Sequence, residues 1–429
     1  MYRLITLSTF LVFCVLQSSI NAAVTPSPYN AFYVFAGDHI HIIEPESRTL
    51  VGTITNITTP GLCVKGGSSN ACRFTDARVI NGQMYGSDYY GSAIKIIDLK
   101  TQKVIERIPT DTTPRYMYDV HWYNEIWVHS WTLSTFAVVK TDKRILTHKA
   151  VRAHTTPGWT HGDMLADEKL WEGRYGYVSH FGNDGIHKVN LVDKSYAGYV
   201  NLSAYNCTGT WRMGYSTYNQ RVYVDCRQNR REMRTLEMDP TTDRVTRVFQ
   251  FPGNPHVSPN GRFIVSVYNR YGVSTVNILA LSGMDVTHYP KLSFNAEGAT
   301  DVVFYPKSTN PDSYNAFVTF QNTNRMAVID LDLASDNNNN AVKYINDVGE
   351  VDTTRRRRSR KLFINGKWII SVASKSNEAV IVDAETHKVH GKIPNVDTGD
   401  LVLWVNSGSS GPKSFVVMTW LCLLLKFFF

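Results

Sequence analysis

Apolar residues along this chain gather in short runs that recur as one unit. The unit is two apolar strands, the second ending near an acidic residue, then a polar turn and a third strand. It is clearest at QMYGSDYYGSAIKIIDLKTQKVIERI (83–108), YGYVSHFGNDGIHKVNLVDKSYAGYV (175–200) and GKWIISVASKSNEAVIVDAETHKVHGKI (366–393). Weaker copies begin near Ala31, Glu125, Gln220, Gly261 and Tyr314. Eight copies spaced by about 41–53 residues match the period of four-stranded propeller blades. One more strand precedes each hairpin. At RVINGQ (78–83), HVSPNGR (256–262) and LFINGK (362–367) an Asn-Gly pair marks the tight turn with positive φ that joins the two.

The pattern predicts an all-β fold, an eight-bladed β-propeller over 29–406. Seven blades is the alternative, if a divergent copy at 125–151 or 314–345 is not a blade. The first copy, 31–54, has no strand before it, and the last is followed by a lone strand, DLVLWV (400–405). That C-terminal strand is therefore expected to become the innermost strand of the first blade, which closes the ring and removes two open edges. One ring of about 380 residues is a single domain, although length alone suggests two or three.

Both ends read as processing signals. Residues 1–22 carry one Arg, an apolar run and small residues, as a secretory signal peptide does. Residues 407–429 end in FVVMTWLCLLLKFFF, 15 residues with Lys426 inside. A spanning helix needs about 20 apolar residues. Small residues, a polar spacer and an apolar tail instead fit a glycosylphosphatidylinositol (GPI) anchor signal, with attachment at Asn406, Ser407 or Gly408. The competing reading is a short membrane stop. Removing both ends takes away Arg3, Lys413 and Lys426 and lowers the net charge from +8 to +5.

Four cysteines remain between the signals: Cys63, Cys72, Cys207 and Cys226. An even number fits two disulfides in an oxidising compartment, and proximity favours 63–72 and 207–226. Asn56, Asn201 and Asn206 head glycosylation sequons.

Strand parity sorts these features onto two faces. The outer-to-inner connections and the second-to-third loops share one face, called the top here. Cys63, Cys72, Cys207 and all three sequons fall in outer-to-inner connections, and Cys226 ends a second strand, so all lie on top. The closing strand ends at the bottom, which therefore faces the membrane if the anchor is present. Two basic clusters also map to the top: Arg227, Arg230, Arg231 and Arg234 in the fifth blade, and Arg355, Arg356, Arg357, Arg358, Arg360 and Lys361 in the last connection. Arginine suits bidentate recognition of sulfate, phosphate or carboxylate. The expected partner is an extracellular protein or a sulfated glycan. Nucleic acid is not expected outside the cell. The plainer readings are solvated loops or, at Arg355–Arg358, a proprotein-convertase site.

No catalytic motif stands out: there is no G-x-S-x-G, H-E-x-x-H, C-x-x-C or phosphate loop. No cofactor and no metal is assigned. The top ends of the innermost strands line the axis, and Arg115, Tyr116, Trp159, His161, Asp163, Trp211, Arg212, His256 and Asp301 fall near them. His161, His256 and Asp163 could ligate a divalent metal, but the histidines come from different blades at no recognised spacing. The aromatics, part of a 12% aromatic content, also fit plain inter-blade packing. His39 and His41 alternate with Ile40 and Ile42 and are read as a polar blade surface.

Several segments carry a more specific resemblance. EIWVHSW (125–131), VNLSAYNC (200–207) with VYVDC (222–226), GNPHVSPNGRFIVSV (253–267), GATDVVFYP (298–306) and GDLVLWVNSG (399–408) resemble the propeller-like C-terminal region of follistatin-related proteins. The repeat at large resembles YVTN-type propellers. Cys207 and Cys226 fall where the first family places its cysteine pair. This chain has no follistatin module, Kazal-type cysteine cluster, EF-hand loop or immunoglobulin domain, so the functions of those modules do not carry over. The resemblance implies a secreted or surface glycoprotein whose propeller binds a partner. The expected function is thus a GPI-anchored recognition propeller on the outer face of the plasma membrane. The alternative is a propeller hydrolase, lactonase-like or metal-dependent, with its site at the top of the channel.

Overall fold

The structure is a computed structural model, and the residues it describes are 29–36, 38–57, 74–154, 161–228, 232–270, 273–296, 298–299, 301–336, 339–351, 362–373, 375–396 and 401–406. They form eight antiparallel sheets, seven of four strands and one of five, the blades of an eight-bladed β-propeller. Blade one combines Ala31–Ala36, His39–Glu44 and Thr49–Ile54 with the C-terminal Leu401–Val405 as its inner strand. Blades two to eight span 74–109, 114–152, 161–201, 209–249, 254–288, 302–345 and 362–394. Leu292–Phe294 adds a fifth strand to blade six. The divergent copies are blades, so the count is eight.

The apolar runs become middle strands because those strands are covered on both faces. In blade three, Glu125–Ser130 is buried throughout and Thr135–Lys140 at all but its last residue, whereas the outer Ile145–Arg152 is fully buried at Val151 alone. Residues alternate between the two neighbouring wedges, as the period of a strand requires. Eight hydrophobic clusters fill the eight wedges, one each.

The acidic residue that ends many third strands closes a local turn. Asp98 accepts the Thr101 N–H at 2.6 Å, and Asp383 accepts those of Glu385 and Thr386, both at 2.9 Å. The turn then passes through a left-handed residue: Arg48, Gln102, Arg144, Lys194, Asp243 and His387 all have φ between 55° and 59°. Several of these side chains latch onto the preceding blade. Arg144 reaches Glu106 at 3.5 Å, Lys194 reaches Glu125 at 2.7 Å, and Asp243 reaches Lys188 at 2.9 Å.

The Asn-Gly turns vary. Asn81 and Gly82 both have positive φ, and Ile80 pairs with Gln83, a two-residue turn as expected. At the other end the register moves by one: Asn365 pairs with Trp368, so Gly366 and Lys367 form the turn. In blade six the turn is longer, because Ser258 receives the Gly261 N–H at 2.8 Å before the strands pair.

Cys207 and Cys226 are disulfide-bonded with Cα atoms 5.4 Å apart, and both are buried. Cys63 and Cys72 lie outside the described residues. The top-face assignment follows from register. Ile54 lies across Ile40, Ile40 across Phe35, and Phe35 across Leu401, so Asn406 leaves the ring at the end opposite Asn56.

Candidate functional site at the axial mouth

Inner strands enter from the top, and one register position recurs around the axis. Asp76, Tyr116, Asp163, Arg212 and Asp301 each immediately precede the residue that pairs with the core of the second strand: Ala77, Met117, Met164, Met213 and Val302. In blade six that place falls to Asn254, beside Pro255, and His256 lies two residues further along the inner strand. In blades two to five a β-bulge or register shift falls at or just before this position. A bulge re-aims a side chain, here near the axis. The structure thus brings Tyr116, Asp163, Arg212, His256 and Asp301 into one ring, as expected. It adds Asp76, which the sequence reading missed. The signal was present: FTDA (74–77), HGDM (161–164) and ATDV (299–302) each place Asp before a small or apolar residue. Trp159 and the side chain of His161 lie outside what the structure describes.

The carboxylates of this ring staple blades together. Asp76 Oδ1 accepts the Ala77 N–H at 2.9 Å and Arg78 Nη1 at 2.6 Å. Its Oδ2 accepts Arg78 Nη2 at 3.1 Å and, across the wedge, the Met117 N–H at 2.9 Å. Asp301 does the same from blade seven to blade eight, taking the Val302 N–H at 3.2 Å and the Leu362 N–H at 3.1 Å. Asp163 accepts the Met164 N–H at 3.0 Å and Arg212 Nη1 of blade five at 2.7 Å. Each carboxylate therefore satisfies one donor in its own strand and one in the next blade, the strong charge-assisted kind of bond.

These contacts bear on chemistry. A general acid or base needs a lone pair or proton directed at substrate. Asp76, Asp163 and Asp301 have both oxygens committed to the scaffold. His256 is different. Its Nδ1 is 3.9 Å from Asp301 Oδ1, too long for a hydrogen bond, and its Nε2 is buried with no partner among the described residues. Burial pushes its pKa below the usual imidazole value, opposed by Asp301 and reinforced by Arg212. Among the described residues, no three His, Cys, Asp or Glu side chains are grouped to hold a metal ion.

Outside this ring, the mouth carries arginines stacked on aromatics. The Arg115 guanidinium lies 3.5 Å from the Trp131 ring centroid and 5.0 Å from that of Tyr116. Arg227 lies 5.1 Å from both Phe181 and Trp211, whose rings meet edge to face. Arg227 also pairs with the buried Asp225 at 3.4 Å. Burial pushes the Asp225 pKa up, and Arg227 opposes it. Trp131, Phe181 and Arg227 sit at or just past the ends of their second strands, so the sequence expectation of aromatics as wedge filler holds only in part.

The basic cluster of blade five differs from expectation. Arg227 belongs to the second strand and Arg234 to the third, where Arg234 pairs with Cys226 and donates to the Tyr205 carbonyl at 3.3 Å. The two strands stay paired past the disulfide, out to Gln228 and Glu232, so the connecting loop is shorter than the sequence suggests. Arg230, Arg231, Arg355–Arg358, Arg360 and Lys361 lie outside the described residues. Asn56, Asn201 and Asn206 are exposed on the top face. His41 is another departure. It is 6% exposed, with Nε2 3.0 Å from His39 Nε2, so this pair is packed rather than a free polar surface.

No protein-family model matches this sequence. Among solved structures, apo AztD from Citrobacter koseri is similar over 87% of this chain and 97% of its own, with TM-score 0.56 and 11% identity. The dihydro-heme d1 dehydrogenase NirN, in complex with DHE, is similar over 86% of this chain and 76% of its own, with TM-score 0.56 and 12% identity. Hydrazine synthase of Kuenenia stuttgartiensis is similar over 76% of this chain and 98% of its own, with TM-score 0.52 and 14% identity. At such identities the likeness is one of fold, the β-propeller.

Proposed function

We propose that this protein is an extracellular recognition propeller that binds a sulfated glycan through its top face. The observation that carries the reading is the pair of arginines, Arg115 and Arg227, braced on aromatic rings at the channel mouth. Stacking holds a guanidinium plane still while its edge N–H groups can face an oxyanion, and so reduces the entropy lost on binding. The arginine runs at 227–234 and 355–361, which strand parity in the sequence assigns to the same face, would add to this charge. The staple role of the ring carboxylates disfavours a hydrolase at the axis. The resemblance to follistatin-related proteins is consistent with this reading, since its segments include second strands of blades three and five and the bonded cysteine pair.

The expected result is retention of the ectodomain on heparin, with affinity that falls steeply as salt rises. Arg227→Gln weakens retention, and Arg355–Arg358→Ser weakens it further, with far-UV circular dichroism unchanged. Elution of the wild-type ectodomain at the salt concentration of a propeller of equal net charge lacking these arginines would sink the reading.

We also propose that the chain is held at the cell surface by a GPI anchor. The support is the composition of 407–429 and the exit of the chain at exposed Asn406 on the face opposite the sequons. The buried disulfide agrees with an oxidising compartment. Bacterial phosphatidylinositol-specific phospholipase C is expected to release the protein from intact cells. Its retention on the cells, with peptides from 415–429 recovered from the mature protein, excludes the anchor.

A further inference from the structure

On the bottom face, between blades three and four, one carboxylate holds two ammonium groups. Glu125 opens the second strand of blade three, and its side chain is 2% exposed. Its Oε1 is 3.2 Å from Lys140 Nζ at the end of the third strand. Its Oε2 accepts Lys194 Nζ at 2.7 Å and Trp127 Nε1 at 3.1 Å. Lys194 is the left-handed residue of the blade-four turn, with φ 56°, and this conformation carries its side chain into the neighbouring blade. Its ammonium lies over the rings of Tyr123 and Trp127, at 5.4 and 5.6 Å.

Donors and acceptors do not balance here, with the Lys194 side chain 9% exposed. Each ammonium carries three N–H donors. Lys140 uses one on Glu125 and one on the Tyr123 carbonyl at 2.7 Å, and Lys194 uses one on Glu125 and one on the Leu191 carbonyl. The third donor of each has no acceptor among the described residues. The bottom rim does better elsewhere: Lys307 faces both Asp330 and Asp332, and Lys188 faces Asp243. A cavity of about 360 Å³ opens onto the two lysines, lined also by Tyr123, Thr147, His148 and Asp193. The Asp193 carboxylate is held by Asn190 Nδ2 at 2.6 Å. A partly desolvated ammonium donor is unfavourable unless an acceptor meets it.

We infer that Lys140 and Lys194 form a binding site for a small tetrahedral oxyanion, a sulfate or phosphate group, with Glu125 fixing the two ammonium groups side by side. His148 at the cavity edge adds a donor when its imidazole turns toward the ligand. The site is separate from the top-face arginines and does not depend on them.

The test is isothermal titration of the ectodomain with inorganic sulfate and inorganic phosphate at constant ionic strength, paired with thermal melts. Sulfate stabilises many proteins through exclusion from their surface, so the readout is the difference between wild type and variant at equal sulfate. Saturable binding is expected in the wild type, weakened at least about tenfold in Lys140→Met, a weakening worth about one decade in Kd. Lys140 is one-third exposed, so its variant folds even where Lys194→Met does not. Absence of saturable heat in the wild type, or equal binding by Lys140→Met, would overturn the site.

Discussion

Ending the chain at Val396 abolishes the folded protein. The lost strand, Leu401–Val405, pairs with Ala31–Ala36 over five residues and forms the innermost edge of blade one. Its side chains alternate between two wedges. Leu401 and Val405 pack into the cluster shared with blade two, and Val402 into the cluster shared with blade eight. Trp404 meets Phe32 edge to face at 4.7 Å. Truncating one large core side chain costs about 2–5 kcal/mol. Losing Leu401, Val402 and Val405 together rivals the about 5–15 kcal/mol that holds a typical domain. The truncation also bares the inner edge of blade one to other chains. The yield of folded protein and the thermal melt of any recovered protein measure the effect. A truncated chain that is recovered in normal yield and melts within about 2 °C of the full one means that closure is not needed, against the scale of about 2–4 °C per kcal/mol for large domains.

Asp76→Ala destabilises the ring by about 2–3 kcal/mol. The change removes both carboxylate oxygens that pair with the Arg78 guanidinium and leaves the Ala77 and Met117 N–H groups without their acceptor. Breaking a fully buried ion pair costs about 3–5 kcal/mol. Arg78 keeps a third of its side-chain area exposed, so water in the channel recovers part of that. Arg78 also donates to the carbonyls of Ala77 and Met117, which hold it in place. The double change Asp76→Ala with Arg78→Met is therefore expected to melt higher than Asp76→Ala alone, because the orphaned charge goes with its partner. Urea denaturation of the three proteins is the check. A cost below about 0.5 kcal/mol for Asp76→Ala, the ordinary scale of a surface substitution, means the staple contributes nothing measurable.

The axial ring shows how far the sequence carries a site. Asp163, Arg212, His256 and Asp301 are legible because each lies near the start of an inner strand, and strand parity puts those starts at one end of the axis. Their roles are not legible. Whether Asp163 is an acid, a ligand or a staple depends on the distance to Arg212, 49 residues away. Asp76 was hidden by its neighbour Arg78, since FTDARVI reads as a polar strand end rather than as a member of a ring. The Glu125 triad shows the opposite limit. Glu125, Lys140 and Lys194 look like three ordinary turn and strand-end charges, and blade four must pack on blade three before they meet.

What the sequence by itself determined is the repeat, the all-β class and the closing strand; it favoured eight blades over seven and the pairing of Cys207 with Cys226, and the structure settles both. These follow from local signals: the period of two in strands, continuous apolar runs in doubly covered strands, acidic turn closers, and an unpartnered strand at each end of the array. What the tertiary structure alone decided is everything that depends on adjacency between blades. It chose the wedge each side chain fills, turned three aspartates into staples, put Arg227 on two aromatic rings, and left two lysines sharing one glutamate. Charges at the ends of strands carry no record of their partners in sequence, because the wedge that joins them is built from residues about 40–70 positions apart and becomes specific only when the ring closes.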